Sequence, residues 1–180
     1  QLVNMLLEVS RIETGRIVLR RDPVRLDTVT EDIVRSFSAY ARASNVTFDF
    51  AAPRSLPPVR GDAEKVKMIV QNLVDNAIRY SPGGRISIVI SPVGAASVEW
   101  KIHDSGVGIP YEQQRYVFQK FFRSANAVTR QTSGSGLGLY IARSLITALG
   151  GEIGFSSEPG RGSAFWFRLP AHHVTDVSRL

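Results

Sequence analysis

The stretch Asn72-Leu-Val-Asp-Asn76-Ala-Ile-Arg-Tyr80 lies in a predicted helix, 63–80, that carries two different faces. At about 100° per residue, the apolar residues that should pack on a sheet are Val66, Ile69, Val70, Leu73 and Ala77. Asn72, Asn76 and Arg79 share a second face, at positions i, i+4 and i+7. Because asparagine is a poor helix former, two on one face indicate either solvated amides or oxygen ligands for a hard cation beside a phosphate-binding arginine. The helix alone leaves both interpretations open.

Helix and strand patterns alternate along the rest of the chain. Spacings of three and four predict helices from residue 2 to Gly15, after Asp27, over 63–80 with Asp62 as its N-cap, and over 137–149. Alternating polarity predicts strands at 46–50, 85–91, 97–104, 152–157 and 163–169. The Pro-rich segment 53–58 is expected to be a surface connection, and 111–133 a functional loop. This order of elements predicts an α+β fold, a two-layer α/β sandwich.

The composition favours a single globular domain. The 180 residues are 43% hydrophobic, and Lys plus Arg exceed Asp plus Glu by only 22 − 16 = 6, so the charge alone selects no partner. Because there is no cysteine, a disulfide framework and a thiolate metal site are both excluded. No apolar run approaches the roughly 18 residues of a membrane span, and no signal peptide opens the chain. The chain starts at Gln1 within a helical pattern, so we expect a piece of a longer protein, with the partner of this first helix outside it.

A carboxylate ends the predicted strand 97–104 on its buried side. Asp104 shares its parity with the apolar residues Val98, Trp100 and Ile102. His103 has the opposite parity and should face away, so it is not expected to act as a catalytic base. The glycines that follow, Gly106 and Gly108, allow close approach by a flat ligand, and a plain structural turn is the alternative.

The stretch Gly134-Ser-Gly-Leu-Gly-Leu-Tyr140 places glycine at every second position and runs into the predicted helix 137–149. Its spacing is Gly-x-Gly-x-Gly, and a loop precedes it where a dinucleotide-binding fold needs a strand, so the Rossmann interpretation fails. The sequence also has no Gly-x-x-x-x-Gly-Lys motif, which excludes the P-loop mode of phosphate binding. Since backbone N–H groups at a helix start hold anionic phosphates, we interpret the stretch as a phosphate cradle and a hinge.

Four motifs together resemble, in order and spacing, the ATP-binding domain of sensor histidine kinases. They are Asn72-Leu-Val-Asp-Asn76-Ala-Ile-Arg-Tyr80, Asp104-Ser-Gly-Val-Gly-Ile-Pro110, Phe118-Gln-Lys-Phe-Phe122 and Gly134-Ser-Gly-Leu-Gly-Leu139. The resemblance implies a Bergerat-type ATP-binding fold, with a mixed sheet of about five strands packed on three helices. The stretch Leu6-Leu-Glu-Val-Ser-Arg-Ile-Glu13 looks like the end of the second helix of that family's dimerisation domain.

The resemblance also implies a division of the chain. Residues 1–20 would be the C-terminal end of the dimerisation and phosphoacceptor helix with its linker. Residues 21–170 would be the ATP-binding catalytic domain, and 171–180 a polar C-terminal tail.

Each motif carries residues with an implied role. Asn76 would coordinate the Mg²⁺ that bridges the phosphates of ATP, and Asp104 would accept a hydrogen bond from the adenine amino group. Asn76 and Arg79 are the implied catalytic residues, while Arg123 and Arg130 would add positive charge near the phosphates. The residues Phe118, Phe121 and Phe122, a small hydrophobic anchor by their spacing, would hold the base of a lid over ATP. The implied cofactor-binding residues are Asn72, Asn76, Arg79, Tyr80, Asp104, Gly106, Gly108, Ile109, Arg123, Gly134, Ser135, Gly136, Leu137, Gly138 and Leu139.

The implied function is that of the catalytic fragment of a protein-histidine kinase. It would bind ATP and Mg²⁺ and transfer the γ-phosphoryl to a histidine on a dimerisation domain outside the chain, for relay to the receiver domain of a response regulator. The full-length protein would be a homodimer, and this part a cytoplasmic domain of a sensor, membrane-anchored or not. Nucleic acid is not an expected partner. The phosphoacceptor motif is absent, since His103-Asp-Ser-Gly does not match it, so the chain should not label itself.

Two alternatives to this function stay open. Hydrolytic members of the same superfamily carry a water-activating glutamate four residues before the magnesium asparagine, whereas this chain has Asn72 there. An amide cannot accept a proton at neutral pH, so the sequence favours transfer over hydrolysis. The second alternative is a non-enzymatic module that binds a nucleotide, nucleic acid or an acidic protein. The lack of a basic stripe interleaved with aromatic residues weakens its nucleic-acid form.

Overall fold

One layer of the molecule is a mixed sheet, and the other is made of helices. The computed structural model describes residues 2–124 and 134–172. In these residues the helices are α1 (Leu2–Glu13), α2 (Leu26–Ser36), α3 (Ser38–Ala43), α4 (Ala63–Tyr80) and α5 (Gly138–Ala148), with a 3₁₀ helix at Tyr111–Tyr116. The strands are β1 (Asp22–Val24), β2 (Thr47–Ala51), β3 (Val59–Gly61), β4 (Arg85–Val93), β5 (Ser97–Asp104), β6 (Glu152–Glu158) and β7 (Gly162–Pro170).

The main sheet has five of the described strands, in the order β2-β4-β5-β7-β6. β2 runs parallel to β4, and the other neighbouring pairs are antiparallel, so the sheet is mixed. Each of the five predicted strands overlaps one strand of this sheet. The predicted α+β sandwich is therefore confirmed.

The helical layer is fixed to the sheet by α4 and α2. The predicted apolar face of α4 is buried in full, with Val66, Ile69, Val70, Leu73 and Ala77 at its core. The Asp62 carboxylate caps this helix by accepting the N–H groups of Glu64 and Lys65, at 3.1 and 3.3 Å. In the sheet, the buried Trp100 donates its Nε1–H to the Thr30 hydroxyl of α2 at 2.9 Å. Thus the one polar atom of a large core side chain is satisfied.

Two local features differ from the patterns in the sequence. The single helical pattern that follows Asp27 is divided at Phe37 into α2 and α3. At this break the Ile33 carbonyl accepts both the Phe37 N–H at 2.9 Å and the Ser36 hydroxyl at 2.8 Å. A two-stranded antiparallel sheet, β1 with β3, was not predicted. Strands of three residues are too short to give a readable alternation.

The first helix, α1, packs on the domain with part of its surface. Val9 is buried, and the buried Glu8 accepts a hydrogen bond from the Lys65 ammonium of α4 at 2.8 Å. The expectation that its partner lies outside the chain is therefore wrong for this side of the helix. Leu6 and Leu7 are 44% and 52% exposed and face away from these contacts.

Candidate functional site

A cavity of about 480 Å³ opens between α4, the end of β5 and the start of α5. Its volume lies in the range of cofactor and small-molecule sites. The predicted cofactor-binding residues that line it are Asn72, Asn76, Arg79, Tyr80, Asp104, Gly108, Ile109, Arg123, Gly134, Ser135, Gly136, Gly138 and Leu139. Phe122 lines it as well, so the fold brings all four sequence motifs to one cavity.

The cavity has two ends, and α4 runs from one to the other. A Cβ atom built on Gly138 would lie 3.0 Å from the Asn72 amide oxygen, and one built on Gly106 would lie 2.1 Å from the Tyr80 carbonyl oxygen. Asn72 and Tyr80 are separated by about 12 Å along the axis of α4, at about 1.5 Å per residue. We call the part around Asn72, Asn76 and Gly138 the phosphate end, and the part around Asp104, Gly106 and Ser163 the base end.

At the phosphate end, two amides and a guanidinium belong to the cavity wall. Asn72 and Asn76 are half-buried, which disfavours the interpretation as solvated amides. The Arg79 Nε donates to an Asp75 carboxylate oxygen at 2.7 Å. Burial lowers the pKa of Arg79, but the hydrogen bond and the charge of Asp75 outweigh it and raise the pKa overall. This end therefore combines amide oxygens with a held positive charge, a donor set that suits a hard cation and phosphates.

At the base end, Asp104 is a buried acceptor. Its carboxylate accepts the backbone N–H of Gly106 at 2.9 Å and that of Ser163, the residue opposite it in β7. Burial raises the pKa of Asp104 above its ordinary value, and these hydrogen bonds offset only part of the rise. The predicted parity is confirmed, because Asp104 is 5% exposed while His103 is exposed. A buried carboxylate in such a cavity favours a ligand that brings a hydrogen-bond donor.

Two of the predicted cofactor-binding residues, Gly106 and Leu137, do not line the cavity. Gly106 instead lies against the Tyr80 carbonyl, where a side chain has no room, and its N–H holds the Asp104 carboxylate. Leu137 is fully buried in the hydrophobic core at the start of α5. Both residues belong to the predicted motifs, yet they support the cavity from behind.

The glycine turn before α5 lies against two other segments. Gly136 has a φ of +68°, and a Cβ atom built on it would lie 2.6 Å from the carbonyl carbon of Phe121. The Ser135 hydroxyl accepts the N–H of Leu137 at 3.3 Å at the entrance to the helix. The first backbone N–H groups of α5 have no partner within the helix, and this helix start borders the cavity.

The phenylalanine cluster does not form the single face that its spacing predicts. The segment after the 3₁₀ helix is a turn, so positions i, i+3 and i+4 do not share a side. Phe118 packs edge-on against Phe155, with ring centroids 5.7 Å apart, and Phe122 lines the cavity. Phe121 is 64% exposed, so its expected part in the anchor is wrong.

The predicted loop 111–133 is described in part. It begins with the 3₁₀ helix, in which the Gln114 side chain donates to the carbonyls of Ile109 and Ser157, at 3.0 and 2.9 Å. Arg123 lines the cavity. Arg130 lies outside the described residues.

The cavity has further lining residues that the sequence patterns did not identify. They are Met5, Asp75, Ala77, Val107, Val117, Ser124, Ser163 and Phe165. Ser163 and Phe165 lie opposite Asp104 and Ile102 in β7, so finding them required the register between β5 and β7. Met5 comes from α1, and no pattern in the sequence signals that contact.

This arrangement belongs to a known family of nucleotide-binding domains. The model of histidine kinase-, DNA gyrase B- and HSP90-like ATPases matches residues 61–173. The chain belongs to this family. The matched residues include both ends of the cavity, whereas α1, α2 and α3 precede them.

Named histidine kinases are similar to almost the whole chain. The signal transduction histidine-protein kinase BarA of Escherichia coli K12 is 31% identical over 173 residues, which is 93% of this chain. The sensor histidine kinase GacS of Pseudomonas protegens is 35% identical over the same share of the chain. In both cases the chain spans 19% of the relative's length.

A solved full-length protein contains the same fold. The crystal structure of full-length ShkA in complex with AMPPNP superposes with a TM-score of 0.83 at 27% identity, covering 96% of this chain and 36% of that one. Together with the family match, this identifies the chain as the ATP-binding catalytic domain of the sensor histidine kinase type, as the motifs predict. Within residues 2–124 and 134–172, none of the helices has the length and apolar character needed to cross a membrane.

Proposed function

We propose that this chain binds Mg²⁺-ATP in the cavity and presents the γ-phosphoryl to a histidine on a dimerisation domain. One observation carries the proposal: the buried carboxylate of Asp104 and the half-buried amides of Asn72 and Asn76 line the same cavity. An acceptor at one end and amide oxygens at the other fit the two chemically different parts of ATP, its base and its phosphates.

The donor set at the phosphate end fits Mg²⁺. In nucleotide sites this ion takes one or two protein oxygens and completes its shell with water and phosphate oxygens. The Asn76 amide oxygen would hold it, and the bound ion would neutralise phosphate charge during transfer.

Arg79 and the start of α5 are the candidate phosphate-holding groups. The Arg79 Nε donates to Asp75 at 2.7 Å, which orients the guanidinium, and arginine is positively charged at neutral pH. Charge neutralisation and positioning account for most of the catalysis in phosphoryl transfer, so Asn76 and Arg79 are the proposed catalytic residues. The other proposed nucleotide contacts on this side and along α4 are Asn72, Tyr80, Arg123, Gly134, Ser135, Gly136, Gly138 and Leu139.

Asp104 is the proposed acceptor for the adenine amino group. Gly108 and Ile109 line the cavity beside it and leave space for a flat base. Gly106 acts on the base indirectly in this proposal, by donating its N–H to the Asp104 carboxylate.

Transfer is favoured over hydrolysis because, in the part of the chain that the structure describes, no carboxylate at the phosphate end is placed as a general base. Among the cavity-lining residues that the structure describes, the acids are Asp75 and Asp104. Asp75 is bound to Arg79, and Asp104 lies at the base end. One turn before Asn76 stands Asn72, whose amide cannot take a proton from water.

We also propose a division of the chain and the kind of protein to which it belongs. Residues 1–20 are proposed as the end of the dimerisation helix with its linker, 21–170 as the catalytic domain, and 171–180 as a tail. The names of two relatives, a signal transduction histidine-protein kinase and a sensor histidine kinase, support a signalling kinase as the parent protein. We propose that this parent is a homodimeric sensor, that the present chain belongs to its cytoplasmic part, and that it passes phosphate to a receiver domain rather than acting on nucleic acid.

The test is a calorimetric titration of the chain with ATP, with and without Mg²⁺. We expect saturable binding that Mg²⁺ strengthens and that Asp104→Ala abolishes. Labelled ATP is then given to the chain alone and to the chain joined to dimerisation helices with a phosphoacceptor histidine, and only the joined protein should acquire phosphate. Failure to bind ATP, or stable self-labelling of the 180 residues, contradicts the proposal.

A further inference from the structure

Three polar side chains form a row across the sheet at the base end. Asp104 of β5 lies opposite Ser163 of β7, and Ser163 lies opposite Ser157 of β6. Residues directly opposite each other in antiparallel strands point to the same face, so all three share the face on which Asp104 meets the cavity. Ser163 is 6% exposed and lines the cavity beside Asp104.

The Ser157 hydroxyl has three polar neighbours among the described residues. The N–H of Ile109 donates to it at 2.9 Å, the carbonyl oxygen of Gly162 lies at 3.1 Å, and the Ser163 hydroxyl lies at 2.9 Å. A hydroxyl carries one hydrogen, an N–H can only donate, and a carbonyl can only accept. All three contacts are hydrogen bonds at once if Ser157 donates to Gly162 and Ser163 donates to Ser157.

We propose that Ser157 is a specificity-determining positioning residue, which takes up the hydrogen of the Ser163 hydroxyl and leaves that hydroxyl with only lone pairs for the cavity. The inference rests on the proposed function, in which Asp104 accepts the amino group of adenine. Ser157 does not touch the base and acts through Ser163.

The consequence is a base end that offers acceptors from two side chains. A purine with an amino group at this position brings a donor and is bound. Guanine has a carbonyl there, which would meet the carboxylate of Asp104 and the lone pairs of Ser163. Unpaired acceptors in a buried site discriminate strongly, so Ser157 contributes to the preference for adenine nucleotides.

The Gln114 side chain supports this network through backbone carbonyls and makes no hydrogen bond to the Ser157 hydroxyl. Gln114 donates to the carbonyls of Ile109 and Ser157, which ties the loop after β5 to β6. Loss of Gln114 would loosen Ser157 and Ile109 together, yet it would leave the hydroxyl of Ser157 in place. Gln114→Ala is therefore a matched control for a structural effect.

The experiment measures the dissociation constants of ADP and GDP, with Mg²⁺ present, for the parent chain and its variants. The parent should prefer ADP. Ser157→Ala frees the Ser163 hydroxyl to donate to a carbonyl, so the preference should fall at least about threefold, the size of one redirected hydrogen bond. Ser157→Thr keeps the hydroxyl and should restore the preference, whereas Gln114→Ala should change both affinities in parallel.

A second pair of variants tests whether Ser157 acts through Ser163. In a Ser163→Ala background, Ser157→Ala should not alter the ADP to GDP ratio further, because the hydroxyl it orients is gone. An unchanged ratio in Ser157→Ala, or an equal change in both backgrounds, overturns the inference. A parent chain that binds neither nucleotide contradicts the proposed function itself, so the two failures are distinguishable.

Discussion

The two ends of the cavity are built in different ways. The base end is part of the sheet: Asp104 is buried and is held by the backbone N–H groups of Gly106 and Ser163. The phosphate end combines one face of α4 with a glycine turn, and its donors, Asn72 and Asn76, are half-buried. The protein's own hydrogen bonds therefore shape the base end, whereas an ion and phosphates would complete the coordination that the amides of the phosphate end begin.

The largest effect that this comparison predicts is the loss of magnesium dependence in Asn76→Ala. Removing the proposed ligand should weaken Mg²⁺-ATP binding by about a hundredfold, since changes to groups that merely support a metal ligand already cost about 10- to 100-fold. The variant should bind ATP equally with and without Mg²⁺ in a calorimetric titration. Asp104→Ala, at the other end, should instead lose binding under both conditions.

Gln71→Ala is the control for this prediction. Gln71 lies on the same helix and is half-buried, but it does not line the cavity, so its variant should keep the affinity and the magnesium dependence. If Asn76→Ala binds ATP more weakly by the same factor with and without Mg²⁺, Asn76 is not the metal ligand.

The next effect concerns the backbone of the phosphate end. Gly136 and Gly160 both have positive φ, +68° and +79°, but only the first lies against another segment. A Cβ at Gly136 would be 2.6 Å from the Phe121 carbonyl carbon, whereas one at Gly160 has no atom within 4 Å. Both alanine variants carry the backbone strain, and Gly136→Ala should cost about 2 kcal/mol more because of overpacking.

Denaturant unfolding of the two glycine variants measures that difference. ATP affinity should fall in Gly136→Ala, because the turn must shift away from the cavity, and stay near the parent value in Gly160→Ala. Equal stabilities for the two variants would mean that the turn rearranges without cost. The backbone at Gly136 would then be free to move away from Phe121.

The base end was largely predictable from sequence, because strand parity needs no tertiary information. Asp104 shares its parity with Trp100, and both are buried. Ser163 was not found, because its role depends on which strand pairs with β5. That register is set by the whole sheet order, in which β7 lies between β5 and β6.

At the phosphate end, side-chain positions were predictable from sequence in the helix α4 but not in the turns. Helical periodicity placed Asn72 and Asn76 together on a face of α4 separate from its apolar face, and the structure shows that both line the cavity. The same periodicity failed for Phe121, because the segment that contains it is not helical. Leu137 belongs to the glycine motif, but the packing of α5 turns it into the core. How such a side chain packs against distant segments cannot be predicted from the local sequence pattern.

A smaller effect is expected where α1 reaches the cavity. Met5 lines it and accepts a weak hydrogen bond from Ser135 at 3.6 Å, while the Glu8–Lys65 pair, with side chains 9% and 16% exposed, fixes α1 to α4. Glu8→Ala leaves a largely buried ammonium without this partner and should lower the free energy of unfolding by about 1–2 kcal/mol. Asp32→Ala removes an ion pair to Arg35 that is mostly exposed and should cost at most about 0.5 kcal/mol.

Hydrogen exchange of the α1 amides separates two explanations of that loss. If Glu8 holds the helix in place, Glu8→Ala increases exchange in α1 and leaves the sheet protected. Uniformly faster exchange would mean that Glu8 supports the domain as a whole, and α1 would then not be a separate wall of the phosphate end.

The smallest effect is a pH dependence of the free energy of unfolding that arises from Asp104 at the base end. Because burial raises the pKa of Asp104, the folded state binds its proton more tightly than the unfolded state does. The stability from this group is thus fully present below the ordinary aspartate pKa of about 3.9 and is lost as the pH rises through the higher folded value. Asp104→Asn does not titrate and keeps a carbonyl oxygen for the Gly106 N–H, so the free energy of unfolding of the variant should rise relative to that of the nucleotide-free parent as the pH rises from 3 to 7. Denaturant midpoints of both proteins across this range measure the difference. A parent that gains on the variant instead would mean that the Gly106 and Ser163 hydrogen bonds outweigh burial, and the base end would then favour the charged carboxylate before any ligand arrives.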